Sequence, residues 1–190
     1  MNVAEHCRLD YYLPNYDFFE KHEIIIRSSP EKVFETLHTF DNSGSKLTNL
    51  MLSLRVIFEP KSKRPDGHKP SIEEMTGEDG FMTVLEEVAD REIVIAFIGK
   101  FWQIRPTFFR PKNAEEFLSF NDPEYVRSAW NLFIKENGDG SVTLSTETRN
   151  QCMGKGSKRW FRLYWAIIKT FSGYSRLEML RTIRDLAEGL

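Results

Sequence analysis

Apolar and polar positions along this chain follow three successive rhythms. After an extended N-terminal arm, "HEIIIRS" (His22 to Ser28) is a β-branched run suited to a strand. "SSPEKVFETLHTF" switches to helical spacing: Ser29 can cap, Pro30 takes the first helical position, and Val33, Phe34 and Leu37 make one apolar stripe. "SKLTNLMLSLRVIF" predicts a second short helix, or one running into a strand, and "PKSKRPDGHKP" predicts a loop.

From Phe81 the spacing is that of β structure. "FMTVLEEV", the turn "ADRE" and "IVIAFI" predict a hairpin, continued by a strand "KFWQIR" beyond Gly99. The unbroken run Ile93 to Ile98 predicts a strand covered on both faces, and Gly99 predicts a bulge or bend. "EFLSF" reads as a further strand. "YVRSAWNLFIKENGDGSVTLSTETRNQ" reads as a long hairpin turning at Asn137-Gly138-Asp139-Gly140. Pairing outward from Asn137 and Gly140 sets Leu132 opposite Ser145, Trp130 opposite Glu147 and Ser128 opposite Arg149. Both faces of that hairpin are mixed, so alternation leaves open which one points inward.

The third rhythm is "WFRLYWAIIKTFSGYSRLEMLRTIRDLAE", Trp160 to Glu188, one long amphipathic helix. Phe161, Tyr164, Trp165, Ile168, Met179, Leu180 and Ile183 mark its buried stripe, which thins to Ser172, Gly173 and Ser175 in the middle. Glycine there costs about 1 kcal/mol against alanine. Room for a ligand, close approach of another segment, or a kink would each account for it.

The order is thus a strand, one or two helices, about six antiparallel strands and a long helix. It predicts an α+β helix-grip fold: a curved antiparallel sheet of about six or seven strands wrapped around the C-terminal helix. The chain resembles the START-like, or SRPBCC, superfamily, which includes polyketide cyclases and lipid-transfer proteins, and in particular a bacterial branch of it. The resemblance covers nearly the whole chain and rests on "YLPNYDFFEKH", "SSPEKVFETL", "LSLRV", "GKFWQI", "STETR" and, most specifically, "FRLYWAIIKTFSGYSRLEMLRTIRDLAE". It implies one domain over residues 1–190 with a cavity between sheet and helix. The shared "ETR" wording leans toward Glu147 and Arg149 pointing into that cavity beside Trp130.

Composition narrows the function. A chain of 190 residues with 41% hydrophobic and 28% charged residues is long enough for a substantial core. A net charge of −2 argues against nucleic acid as a partner. Charge is uneven, however: Lys155 to Arg184 holds eight basic residues and only Glu178. That makes the C-terminal helix either a solvated face or a candidate for peripheral membrane contact. The N-terminus has no apolar signal-like run, and Cys7 and Cys152 are the only cysteines, so a reducing cytoplasm is expected, with one bridge left open.

Catalytic and metal motifs do not stand out. His6, His22, His38 and His68 are scattered, no serine sits in a nucleophile elbow, and no zinc-type spacing occurs. No cofactor and no metal are expected. "GKGSK" (Gly154 to Lys158) fails the Walker pattern and reads as a helix start capped by Ser157, with anion attraction as the alternative.

The expected function is binding or carrying a small hydrophobic or amphipathic molecule. The ligand-binding candidates are Trp130, Leu132, Glu147, Arg149, Trp165, Ile168, Ser172, Gly173 and Ser175. The alternatives are a polyketide cyclase- or dehydratase-like enzyme and a partner-binding module with a filled core. A homodimer is left open.

Overall fold

The computed structural model describes residues 7–39 and 80–190. The second helix and the Pro-rich loop expected between them lie outside the described residues, as do His6 and His68.

Six strands form one open, curved antiparallel sheet: β1 (Phe18–Ile26), β2 (Thr83–Val88), β3 (Glu92–Lys100), β4 (Thr107–Phe109), β5 (Val126–Glu136) and β6 (Val142–Cys152). The spatial order is β1-β6-β5-β3-β2, with β4 also paired to β3. Among the described residues four helices accompany it: α1 (Leu9–Tyr12), α2 (Pro30–Thr39), α3 (Ala114–Ser119) and α4 (Lys155–Glu188). The architecture is α+β and compatible with a helix grip.

Both sheet faces are covered. On one, α2 and α4 close over Ile26, Ile93, Ile95, Leu132, Ile134 and Leu144, with Met179, Leu180 and Ile183 entering from α4. On the other, Leu9, Tyr12 and Leu13 of the N-terminal arm and Phe117 of α3 cover Val94, Ala96, Ile98 and Ala129. β3 is therefore buried on both sides, as the run Ile93 to Ile98 predicts.

Local chemistry sets the ends of the elements. Ser29 caps α2, its Oγ accepting from Lys32 N at 3.4 Å. The N-cap of α4 is Gly154, not Ser157; Ser157 lies three residues in, where its Oγ accepts from Gly154 N at 3.1 Å. Gly189 ends the helix in the left-handed conformation at φ 75°.

Five further expectations differ from the structure. "EFLSF" belongs to helix α3, because Asn113 Oδ1 accepts from Glu116 N at 2.9 Å and Glu115 and Glu116 occupy its first turn. The arm contains a helical turn, α1, rather than being extended throughout. "KFWQIR" is not a strand: β3 ends at Lys100, and Gln103 N donates to Lys100 O at 3.3 Å to turn the chain back into β4. Gly99 holds regular register and is needed for space, since a Cβ there would lie 2.9 Å from the Phe101 ring. The bulge falls instead in β2, between Val84 and Glu86.

The fifth difference is the hairpin register. Asn137 N donates to Ser141 O at 3.0 Å, and Asp139 Oδ1 accepts from Ser141 N at 3.0 Å. The loop therefore closes one residue later than a two-residue turn would. Leu132 pairs with Thr146, Trp130 with Thr148 and Asn131 with Glu147. Because side chains alternate between faces, that one-residue slip moves Glu147 and Arg149 off the face that carries Trp130.

Candidate functional site

Strand register stacks the face beneath α4 into rows. Phe18, Asn150, Ser128 and Phe97 form one row; Glu20, Thr148, Trp130 and Ile95 the next; His22, Thr146, Leu132 and Ile93 the third. Aliphatic core follows beyond. Reading along the helix, the space under α4 is aromatic toward the helix start, polar in the middle and aliphatic toward its end.

The aromatic end is a chain of ring contacts. Phe161 lies 5.2 Å from Phe18 and stacks on Trp165 at 5.7 Å, and Phe101 reaches Phe97 at 5.6 Å and Phe161 at 6.0 Å. Phe18, Phe97, Phe101 and Trp165 are only half-buried, so this end remains accessible.

The polar middle is a cluster of buried and half-buried side chains. Glu20 Oε1 lies 2.8 Å from His22 Nε2. Thr146 Oγ1 accepts from Trp130 Nε1 at 2.5 Å and from an Arg176 nitrogen at 3.1 Å. The Arg176 guanidinium lies 5.2 Å from the centroid of the Trp130 ring. Ser128 Oγ donates to Asn150 Oδ1 at 2.8 Å.

Gly173 is what lets α4 settle on this cluster. A Cβ at that position would stand 2.5 Å from Glu20 Oε1 and 3.1 Å from His22 Nε2. The helix runs unbroken through Ser172-Gly173, so the glycine serves close approach rather than a break.

Four buried polar atoms in this layer have no hydrogen-bond partner in the protein: Glu20 Oε2, Thr148 Oγ1, Asn150 Nδ2 and Arg176 Nε. Most buried polar groups in folded proteins are paired, and each one left bare costs roughly 1–3 kcal/mol. Arg176 bears the electrostatic mark of this. The residue as a whole is half-buried, but burial of its guanidinium pushes its pKa down to about 10, and the charge of Glu20 opposes that only in part.

The opposite face offers a contrast. Arg149 Nε donates to Glu147 Oε1 at 2.6 Å, and NH1 reaches Asp10 Oδ1 at 2.8 Å and Leu13 O at 3.3 Å. Burial works against this charge, but Glu147 and Asp10 outweigh it and hold the Arg149 pKa above its usual value. Asn131 continues the network, accepting from Glu147 N at 2.9 Å and donating to Glu92 Oε1 at 2.7 Å. Glu92 Oε2 in turn accepts from Arg8 N at 2.9 Å. This arrangement ties the N-terminal arm to the sheet.

The nine candidates therefore divide. Trp130 and Gly173 belong to the polar layer, and Leu132 lies beside it in the core. Trp165 forms part of the aromatic end; Ile168, Ser172 and Ser175 are half-buried on α4. Glu147 and Arg149 sit on the far face. Sequence reading missed Glu20, His22, Thr146, Thr148 and Arg176. A signal existed: Phe18, Glu20, His22, Ile24 and Ile26 alternate on β1, so Glu20 and His22 share a face with core residues.

A surface cleft of about 410 Å³ opens at the start of α4, lined by Lys100, Trp102, Glu124, Lys155 and Trp160 among others. None of the nine candidates lines it, and its Lys100 is paired with Glu124 at 2.5 Å. Cys7 and Cys152 are both free, and among the described residues no group of His, Cys, Asp or Glu could hold a metal ion. No helix of the described residues is long and apolar enough to cross a membrane.

No family model matches the chain, and no curated protein does either. Among solved structures, a crystal structure of a hypothetical protein from Helicobacter pylori is similar at 12% identity and a TM-score of 0.44. The similarity covers 98% of this chain and 97% of that one.

Proposed function

We propose that this protein binds a small amphipathic molecule between the curved sheet and α4, as a member of the START-like superfamily would. The polar end of the ligand meets the layer of Glu20, Thr148 and Arg176, and its apolar body lies against Phe18, Phe97, Phe101 and Trp165. The supporting observation is the set of four bare polar atoms in one buried patch, beside a half-open aromatic wall. Arg176 Nε and Asn150 Nδ2 donate, whereas Glu20 Oε2 accepts, so the matching group carries both an acceptor and a donor. A hydroxyl or amide function on an otherwise apolar skeleton has that character.

The test is native mass spectrometry of the purified protein, followed by titration with an apolar fluorescent probe. Saturable binding at one site is expected, with more than about tenfold loss in Arg176→Met and Glu20→Gln. Unchanged affinity in both variants, or loss only in Trp102→Ala, would move the site to the surface cleft.

A second reading rests on the Glu20–His22 pair. A carboxylate holding an imidazole at 2.8 Å inside a partly desolvated site is a geometry suited to proton transfer. On this reading the ligand is a substrate, in the manner of a cyclase or dehydratase, with His22 as the proton-transferring group and Glu20 orienting it. Turnover of a bound molecule by the parent and not by His22→Gln would favour catalysis over carriage.

A further inference from the structure

The outer side of α4 carries a feature that ligand binding does not use. Trp160, Leu163, Ile167, Phe171 and Tyr174 recur at spacings of three and four and are between 41% and 67% exposed. They form one continuous apolar stripe along about 21 Å of helix. It lies on the side of α4 opposite Phe161, Met179 and Ile183, which face the core.

Charge along this half of the helix has one sign. From Lys155 to Leu177 there are six basic residues and no carboxylate. Arg176 is used inside, and Lys158 reaches Asp17 at 2.5 Å. Lys155, Arg159, Arg162 and Lys169 are exposed; Lys155 and Arg159 precede the stripe on its near flank, whereas Arg162 and Lys169 point to the side of α4 away from it. The opposite flank, with Tyr164, Ile168 and Ser175, carries no formal charge. Trp160 and Tyr174 bracket the stripe, with aliphatic and phenyl groups between them. Amphipathic aromatics at the margins and apolar groups in the centre suit the boundary between head groups and acyl chains.

We propose that this face of α4 docks on an anionic membrane surface, lying in the plane of the interface. The stripe inserts among the upper acyl chains, and Lys155 and Arg159 meet lipid phosphates, their long stems reaching outward from the apolar boundary, while the single sign of charge on this half of the helix adds to the attraction. A second copy of the chain fits less well. Pairing the stripe with that of a second copy would bring together two helix segments of the same sign, with no acidic residue from Lys155 to Leu177 to answer them. The proposal is independent of the interior ligand.

Vesicle co-sedimentation of the full chain tests it. Vesicles of phosphatidylcholine with about a third phosphatidylglycerol should bind the protein, and phosphatidylcholine alone should bind roughly tenfold less. Raised salt should weaken the anionic case. Leu163→Asp with Ile167→Asp should abolish binding at an unchanged melting temperature, because both side chains are exposed. Lys155→Gln with Arg159→Gln should lower affinity severalfold and flatten the salt dependence. No binding of the parent to anionic vesicles would overturn the proposal. So would equal binding by the Asp double variant, or a parent dimer that this variant converts to monomer.

Discussion

At Gly173, a gain in helix propensity and a steric clash pull in opposite directions. Alanine there should gain about 1 kcal/mol of propensity, but its Cβ would meet Glu20 Oε1 at 2.5 Å. The Glu20 side chain is only 5% exposed and has little room to retreat. Overpacking of this kind costs roughly 1–3 kcal/mol, so Gly173→Ala should lower the melting temperature. Gly156→Ala, where nothing lies within 4 Å, should leave it unchanged or raise it. Arg176 makes a complementary case. Its burial cost is only partly met inside the protein, so Arg176→Met should stabilise the fold by on the order of 1 kcal/mol while weakening ligand binding. Denaturant unfolding and probe titration on the same sample measure both. A variant that lost stability and kept binding would contradict the role given to this residue.

Among elements, the N-terminal arm depends on a charge network rather than on apolar contact alone. Glu147→Ala removes one of two carboxylates on a buried guanidinium and should cost about 1–3 kcal/mol, less than full isolation of the charge, because Asp10 and Leu13 O remain. Hydrogen exchange should then quicken first at Leu9 to Leu13, ahead of the sheet. The start of α4 is tied in a similar way. Asp17 accepts from Cys152 N at 2.8 Å and from Lys158. Burial opposes ionisation of Asp17, but these bonds prevail and hold its pKa below the usual value. A depressed carboxylate stabilises the fold above its unfolded pKa, and that contribution is lost as pH falls through its lower, folded value. Asp17→Asn should therefore reduce stability at neutral pH and remove part of the acid sensitivity below about pH 4. Equal acid midpoints for parent and variant would count against this tie.

For the whole molecule, the proposed ligand binding would be linked to folding. A molecule that enters only the folded interior raises stability by about 2.7 kcal/mol at a hundredfold excess over its Kd. For a chain of this size that is a rise of roughly 5–10 °C in melting temperature. The shift should vanish in Glu20→Gln if the polar layer is the docking point. An equal shift in parent and variant would place binding elsewhere.

Much of the fold was legible in the chain because it depends on local signals. Ser29-Pro30 started α2, the run Ile93 to Ile98 marked a strand covered twice, and the stripe from Phe161 to Ile183 marked the buried side of α4. The close approach at α4 was legible only in outline: the thinning at Ser172-Gly173 marks the turn where the helix meets Glu20 and His22. What stood opposite it did not follow from sequence. One additional residue in the loop at Asn137 to Ser141 shifts the β5–β6 register, which places Glu147 and Arg149 on the far face and Thr146 and Thr148 beside Trp130. Glu20 and His22 enter the site because β1 pairs with β6, more than a hundred residues later in the chain. Periodicity along the chain determined the elements and their apolar faces. Tertiary pairing decided which polar residues meet beneath α4, because strand register and helix approach depend on contacts between residues distant in sequence.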